Sequence, residues 1–219
     1  MTDRRVLSAS LAAACVAFAF TFRGPEERFW QRMTATGACL GSLALVADAD
    51  LRRTRIRPRD VAIGAAAAAG LYAVFRVGDR LARRVMPRGG DEIDRVYALR
   101  SLRPTPELLA RLALVIGPAE ELFWRGLVQR GMVRRLGRWP GAAATAGAYG
   151  AAHVVTGNLT LTGAAATAGA YWSALAAAGM PVGALIASHV LWDVWIFLVQ
   201  PTTPASAAQG RTAISGNAG

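Results

Sequence analysis

The stretch VGALIASHVLWDVWIFLV, Val182–Val199, is an apolar run broken by one histidine, His189, and one aspartate, Asp193. A helix rises about 1.5 Å per residue, and crossing ~30 Å of hydrocarbon takes about 20 residues, with a range of roughly 17 to 25. The run is therefore of spanning length. His189 and Asp193 stand four apart, so on a helix they share one face, one turn from each other. An ionisable group at membrane depth costs at least about 2.5 kcal/mol, so it usually faces a protein interior or a water-filled cavity. The stretch reads as a membrane helix that brings two polar groups to a common interior.

Six more apolar runs precede it: Val6–Phe22, Met33–Ala49, Val61–Val77, Pro106–Leu127, Gly141–Val155 and Leu159–Gly179. Gly141–Val155 is short for a span and is expected to extend by a turn. The expected fold is all-α, a polytopic transmembrane helical bundle of about seven spans, forming one domain over residues 1–200. From Pro201 to the end the chain is rich in Ser, Thr, Ala, Gly and Pro, and a disordered tail is expected over 201–219.

Composition agrees. The 219 residues are 53% hydrophobic, with mean hydropathy +0.30. Ala, Leu, Val and Gly dominate the runs, which suits closely packed helices in lipid. The net charge is +11, and every basic residue is arginine. These arginines sit between the apolar runs, not along one face, which argues for a membrane surface and against nucleic acid. Arg52, Arg53, Arg55, Arg57 and Arg59 fall in one loop, and Arg130, Arg134, Arg135 and Arg138 follow the fourth run. Both groups lie on one side together with Arg4 and Arg5. The positive-inside rule then places the N-terminus in the cytoplasm, in a multi-pass protein of the cell membrane. The Gly78–Arg103 loop is arginine-rich on the opposite side, and Asp91–Leu102 within it reads as an interfacial amphipathic helix. Cys15 and Cys39 supply no disulfide framework and are expected as small packing residues.

The acids and histidines are unevenly placed. After Glu107 the carboxylates are Glu120, Glu121 and Asp193 alone, and the only histidines are His153 and His189. All five lie in or at the edge of expected spans. Glu121 and Arg125, Tyr149 and His153, and His189 and Asp193 are each four apart, which makes three one-turn pairs on three helices. With span centres near residues 117, 148 and 190, Glu120, His153 and His189 fall within roughly 8 Å of the midplane, so convergence on one cavity is geometrically possible. Other roles stay open residue by residue. Glu121–Arg125 also fits a structural ion pair, His153 a packed histidine bonded to a backbone carbonyl, and Asp193 a group that merely fixes the His189 ring. Trp124, Trp172, Trp192 and Trp195 read as interfacial or packing aromatics.

The stretch Glu120-Glu121-Leu122-Phe123-Trp124-Arg125 resembles the E-E-x-x-x-R signature of the CPBP intramembrane protease family, which takes in the CAAX prenyl endopeptidases of the Ras-converting type and many bacterial relatives. The family's F-x-x-x-H reads here as Tyr149-Gly150-Ala151-Ala152-His153. Its H-x-x-x-N or H-x-x-x-D reads as His189-Val190-Leu191-Trp192-Asp193. Order and spacing match over about residues 106–199. Tyr149 departs from the usual Phe, and Asp193 stands where the prenyl endopeptidases have Asn and many bacterial members Asp. An ionised carboxylate cannot donate to an oxyanion as an amide can.

The resemblance implies hydrolysis of a peptide bond in a membrane-associated peptide or protein. Glu120 would act as general base, with His153 holding the water. His189 would donate to the oxyanion, Asp193 would orient His189, and Glu121 would pair with Arg125. A metal version stays open, in which Glu120, His153 and His189 hold Zn and leave a fourth position for water. The helix-borne H-E-x-x-H pair is missing, and an obligatory metal is not expected. Two other functions compete: a non-catalytic immunity or interaction protein on the same scaffold, and a proton-coupled transporter. Neither inverted repeats nor broken helices, the marks of a transporter, stand out in the sequence. The oligomeric state is left open.

Overall fold

The computed structural model describes residues 4–202, and all regular structure among them is helical. Eight helices follow in order: α1 Arg4–Phe22, α2 Phe29–Ala47, α3 Pro58–Val85, α4 Gly89–Ala98, α5 at 105–136, α6 Arg138–His153, α7 Leu159–Ala177 and α8 Val182–Val199. Each of the seven expected runs is helical. Of these helices, α1, α3 and α8 are by themselves long and apolar enough to cross a membrane. The outer surface is apolar, with Val16, Val46, Leu114 and Leu159 each at least 70% exposed, as lipid-facing side chains should be and as a water-facing surface would not tolerate in number. Cys15 and Cys39, expected as small packing residues, are unpaired and lie on this outer surface. The expected tail lies outside the described residues, apart from its first two.

Local chemistry accounts for the ends. Pro58 opens α3, where its missing N–H costs nothing. Asn158 caps α7 by accepting from the Leu161 N–H at 2.7 Å. Gly137, at φ +86°, makes the sharp break between α5 and α6. Within α5, Pro118 cannot donate to the preceding turn. The helix is wound as π-helix on both sides of it, at Leu112–Ile116 and Leu122–Gln129. The second of these wide stretches carries Arg125.

Close helix pairs bring the motif-bearing segments together. α6 and α7 form one pair, α3 and α8 another, and α1 with α2 a third. A Cβ on Gly64 would stand 2.7 Å from Ala187 Cβ and 2.8 Å from the Ala184 carbonyl, so only glycine lets α3 meet α8 backbone to backbone. Phe18, Leu40, Phe123, Trp124, Leu127 and Tyr149 belong to one buried cluster joining α1, α2, α5 and α6. α4, followed by a 3-10 turn at Leu99–Leu102, covers most of the expected amphipathic segment. It is anchored by Glu92, whose carboxylate accepts from the Thr160 N–H at 2.8 Å and the Thr160 hydroxyl at 2.6 Å at the start of α7. These donors hold the Glu92 carboxyl below the ordinary range.

Candidate active site

Glu120 and Glu121 are neighbours on α5, and a helix sets neighbours about 100° apart. They therefore turn to different helices. Glu120, 5% exposed, reaches α6, where the Tyr149 hydroxyl donates to its Oε2 at 2.8 Å. Glu121, fully buried, points towards α8 and its own next turn. Its Oε1 accepts from Arg125 Nη1 at 2.9 Å and lies 2.8 Å from His189 Nδ1. Glu121 Oε2 has no hydrogen-bond partner among the described residues.

His153 and His189 are positioned in different ways. His153 Nδ1 lies 2.9 Å from the Tyr149 carbonyl one turn earlier on the same helix, so that nitrogen is the donor and Nε2 is left as the acceptor. The ring is walled by α1: Phe18 packs edge-on at 4.8 Å and Phe22 lies at 5.8 Å. His189 stacks on Trp172 of α7 at 4.1 Å between ring centroids. Trp172 is fixed in turn by its indole N–H donating to Ser188 Oγ at 3.1 Å. The expected one-turn partner, Asp193, stands 3.7 Å from His189 Nε2. That is close enough for charge to act and too long for a hydrogen bond. The hydrogen bond that orients His189 comes from Glu121, on another helix, and not from Asp193.

Arg125 completes the arrangement. Its side chain is fully buried. Besides Glu121 it is sandwiched by the faces of Tyr149 and Trp172, at 5.0 and 5.3 Å from the ring centroids. Burying a guanidinium needs such compensation, because desolvation alone would exceed the gain from one ion pair. The polar groups thus form two neighbouring networks. Tyr149 joins Glu120 to His153, and Glu121 joins Arg125 to His189. Glu120 spans them, close enough to His153, His189 and Asp193 to interact electrostatically with each. All five expected polar residues are within this one region, and each is buried.

The sequence reading missed three members. Phe18 lies on α1, outside the motif-bearing stretch 106–199, yet it walls His153. Trp172 was read as packing, yet it is the platform of His189. Gln129, one turn beyond Arg125, is buried and donates to the Ser173 carbonyl at 2.8 Å. Its position four after Arg125 on the same face was the available signal.

The metal-holding set does not assemble. Among the described residues no three His, Cys, Asp or Glu side chains come together as metal ligands. Each candidate ligand is held through one atom by a different partner: Glu120 by Tyr149, His153 by a backbone carbonyl and His189 by Glu121.

Comparison with known proteins follows the same residues. No curated protein and no solved structure matches this chain. The family model described as type II CAAX prenyl endopeptidase Rce1-like matches residues 104–195. The match runs from the start of α5 into α8, takes in all five buried polar residues and leaves out α1 to α4. The family model thus places an Rce1-like domain at residues 104–195, set here within a membrane helical bundle.

Proposed function

We propose that the chain is an intramembrane endopeptidase that hydrolyses a peptide bond in a membrane-associated peptide or protein by a glutamate-activated water. The observation that carries this reading is Glu120, a buried carboxylate fixed by the Tyr149 hydroxyl and within electrostatic reach of both histidines of the chain. Tyr149 occupies Oε2 and leaves Oε1 for a water. His153, with Nδ1 committed to a carbonyl, offers Nε2 as a second acceptor for that water. The water loses its proton to Glu120 as it attacks the scissile carbonyl. His189 carries both ring protons in this scheme: Nδ1 donates to Glu121, and the Nε2 proton, unsatisfied by Asp193 at 3.7 Å, is available to the developing oxyanion. The proton on Glu120 then passes to the leaving amine. Glu121 and Arg125 act by positioning, and Asp193 by its field on His189.

No step is routed through a metal, since no three candidate ligands come together among the described residues. Turnover is expected to persist in chelator. Stoichiometric bound zinc whose removal abolishes turnover would overturn that part. In the same proposal the protein sits in the cell membrane with residues 1–200 as one unit and the N-terminus cytoplasmic.

The deciding experiment compares membrane peptidomes of cells carrying the wild type and Glu120→Gln. Precursor peptides should accumulate, and their cleaved products vanish, in the variant. Identical peptidomes with normally folded variant protein would return the chain to a non-catalytic role.

A further inference from the structure

Two adjoining cavities open at the end of the bundle where the arginine loops lie. One, of about 570 Å³, is bounded by the last turns of α5, the end of α7 and the start of α8. The other, of about 300 Å³, is bounded by the α2–α3 connection and the start of α8. They share Arg130, Pro181 and Val182 as walls. Their lining is strongly cationic. Arg55, Arg57 and Arg130 face them, as does Arg138 at the larger one, and Asp60 is the only carboxylate among the lining residues. The N-terminus of α8 enters here with Val182 and Gly183, and the buried Asp60 carboxylate stands against Gly183.

The inner wall of the larger cavity supplies the second observation. Arg125 and Gln129 line it, at 2% and 3% exposure. Among the described residues Arg125 Nε and Gln129 Oε1 have no hydrogen-bond partner. A buried donor and a buried acceptor left unmade each cost about 1–3 kcal/mol. A ligand that answers both must accept at one point and donate at another nearby. A bare phosphate diester accepts only. A phosphate bearing a polyol accepts at the phosphate and donates from a hydroxyl.

We propose that this cavity binds the phosphate headgroup of an anionic phospholipid whose headgroup carries hydroxyls, phosphoglycerol being the simplest. The position favours a lipid source: the cavity lies between membrane helices at the arginine-bearing end of α8, where headgroups sit and where basic pockets capture anionic lipids. The site is distinct from the peptide-hydrolysing centre, which it touches through Arg125 and Gln129.

The test uses the full-length chain, purified in detergent and examined by native mass spectrometry with added phosphatidylglycerol, phosphatidylcholine, phosphatidic acid or free glycerol phosphate. Retained phosphatidylglycerol should exceed phosphatidylcholine. It should fall in Arg55→Gln/Arg130→Gln, by about fivefold per arginine removed, and stay unchanged in Arg88→Gln/Arg100→Gln at the opposite end. Gln129→Leu, which removes the acceptor and keeps the volume, should weaken the preference for phosphatidylglycerol over phosphatidic acid. Thermal midpoints matching wild type establish that the variants fold. Equal retention of phosphatidylcholine, or no effect of Arg55→Gln/Arg130→Gln, overturns the proposal. Glycerol phosphate binding as tightly as the lipid overturns the lipid source. An acidic peptide retained by the cavity where phosphatidylglycerol is not retained overturns the proposal and assigns the cavity to a peptide. None of these readouts depends on peptide hydrolysis.

Discussion

His153 and His189 are both buried and both four residues from a polar neighbour on their own helix, yet they are held by different forces. His153 leans on a backbone carbonyl one turn away and on two phenylalanines of α1. Everything that positions it is neutral and mostly local. His189 is held across helices by the Glu121 carboxylate, stacked on Trp172, and exposed to the charge of Asp193. A locally held, neutral imidazole suits a group that accepts from water. An imidazole gripped between carboxylates suits one that gives a hydrogen bond to an oxygen gaining negative charge. The contrast assigns the two halves of a hydrolytic reaction to two sides of Glu120.

The largest expected effect strikes both sides together. Glu120→Gln preserves the shape and the Tyr149 contact but removes the base, so turnover should fall by about 10²- to 10⁴-fold, the usual weight of a general base. A purified-protein cleavage assay with single-turnover kinetics checks this. A loss smaller than tenfold would mean that the carboxylate does not take the proton.

Glu121→Gln separates the two histidines. It strips the charge that compensates a fully buried arginine, and breaking such a pair costs about 3–5 kcal/mol. The unfolding midpoint should drop steeply. His153→Gln, by contrast, removes a local bond and should leave the midpoint close to wild type. If the two variants lose equal stability, the distinction between the histidines is wrong.

Tyr149→Phe tests the weaker side. It deletes one hydrogen bond to Glu120 and keeps the ring against Arg125 and Trp124. A single hydrogen bond contributes about 0.5–1.5 kcal/mol, so turnover should fall by less than about tenfold. Phe is also the residue that the resembled motif carries here. A fall as deep as that of Glu120→Gln would make the hydroxyl itself a proton carrier.

The sequence made some of this arrangement legible and hid the rest for definite reasons. Apolar run length and arginine spacing reveal the all-helical fold, since helix length and loop charge are one-dimensional properties. The five polar residues stand out because ionisable groups are rare in apolar runs. Their partners do not stand out. A spacing of four reports which residues share a face, not which helix that face meets. Asp193 was therefore matched to His189 by spacing, while Glu121, from α5, makes the hydrogen bond. Trp172 and Phe18 were hidden likewise, because ring stacking between helices depends on relative rotation and height. The wide winding around Pro118 shifts α5 in a way that no 3.6-residue pattern shows.

The smallest effect lies outside the site and concerns α4. Glu92 ties α4 to the first turn of α7, whose Asn158 cap also donates from its side chain to the Glu92 carbonyl at 3.1 Å. Thr160 holds the folded-state carboxyl below the ordinary value of 4.5. A depressed folded value means that the ionised form is favoured by folding, so the contribution is fully present above the unfolded carboxyl range. It is lost as the pH falls through the folded value. Glu92→Gln should therefore lower the unfolding midpoint modestly at neutral pH, and the gap from wild type should close on acidification below the ordinary carboxyl range. Hydrogen exchange at the start of α7 should quicken in the variant while the amides of α8 around His189 keep their protection. Quickened exchange at α8 would show that the α4 clasp and the His189 network open as one unit, and the two regions would then no longer be independent supports.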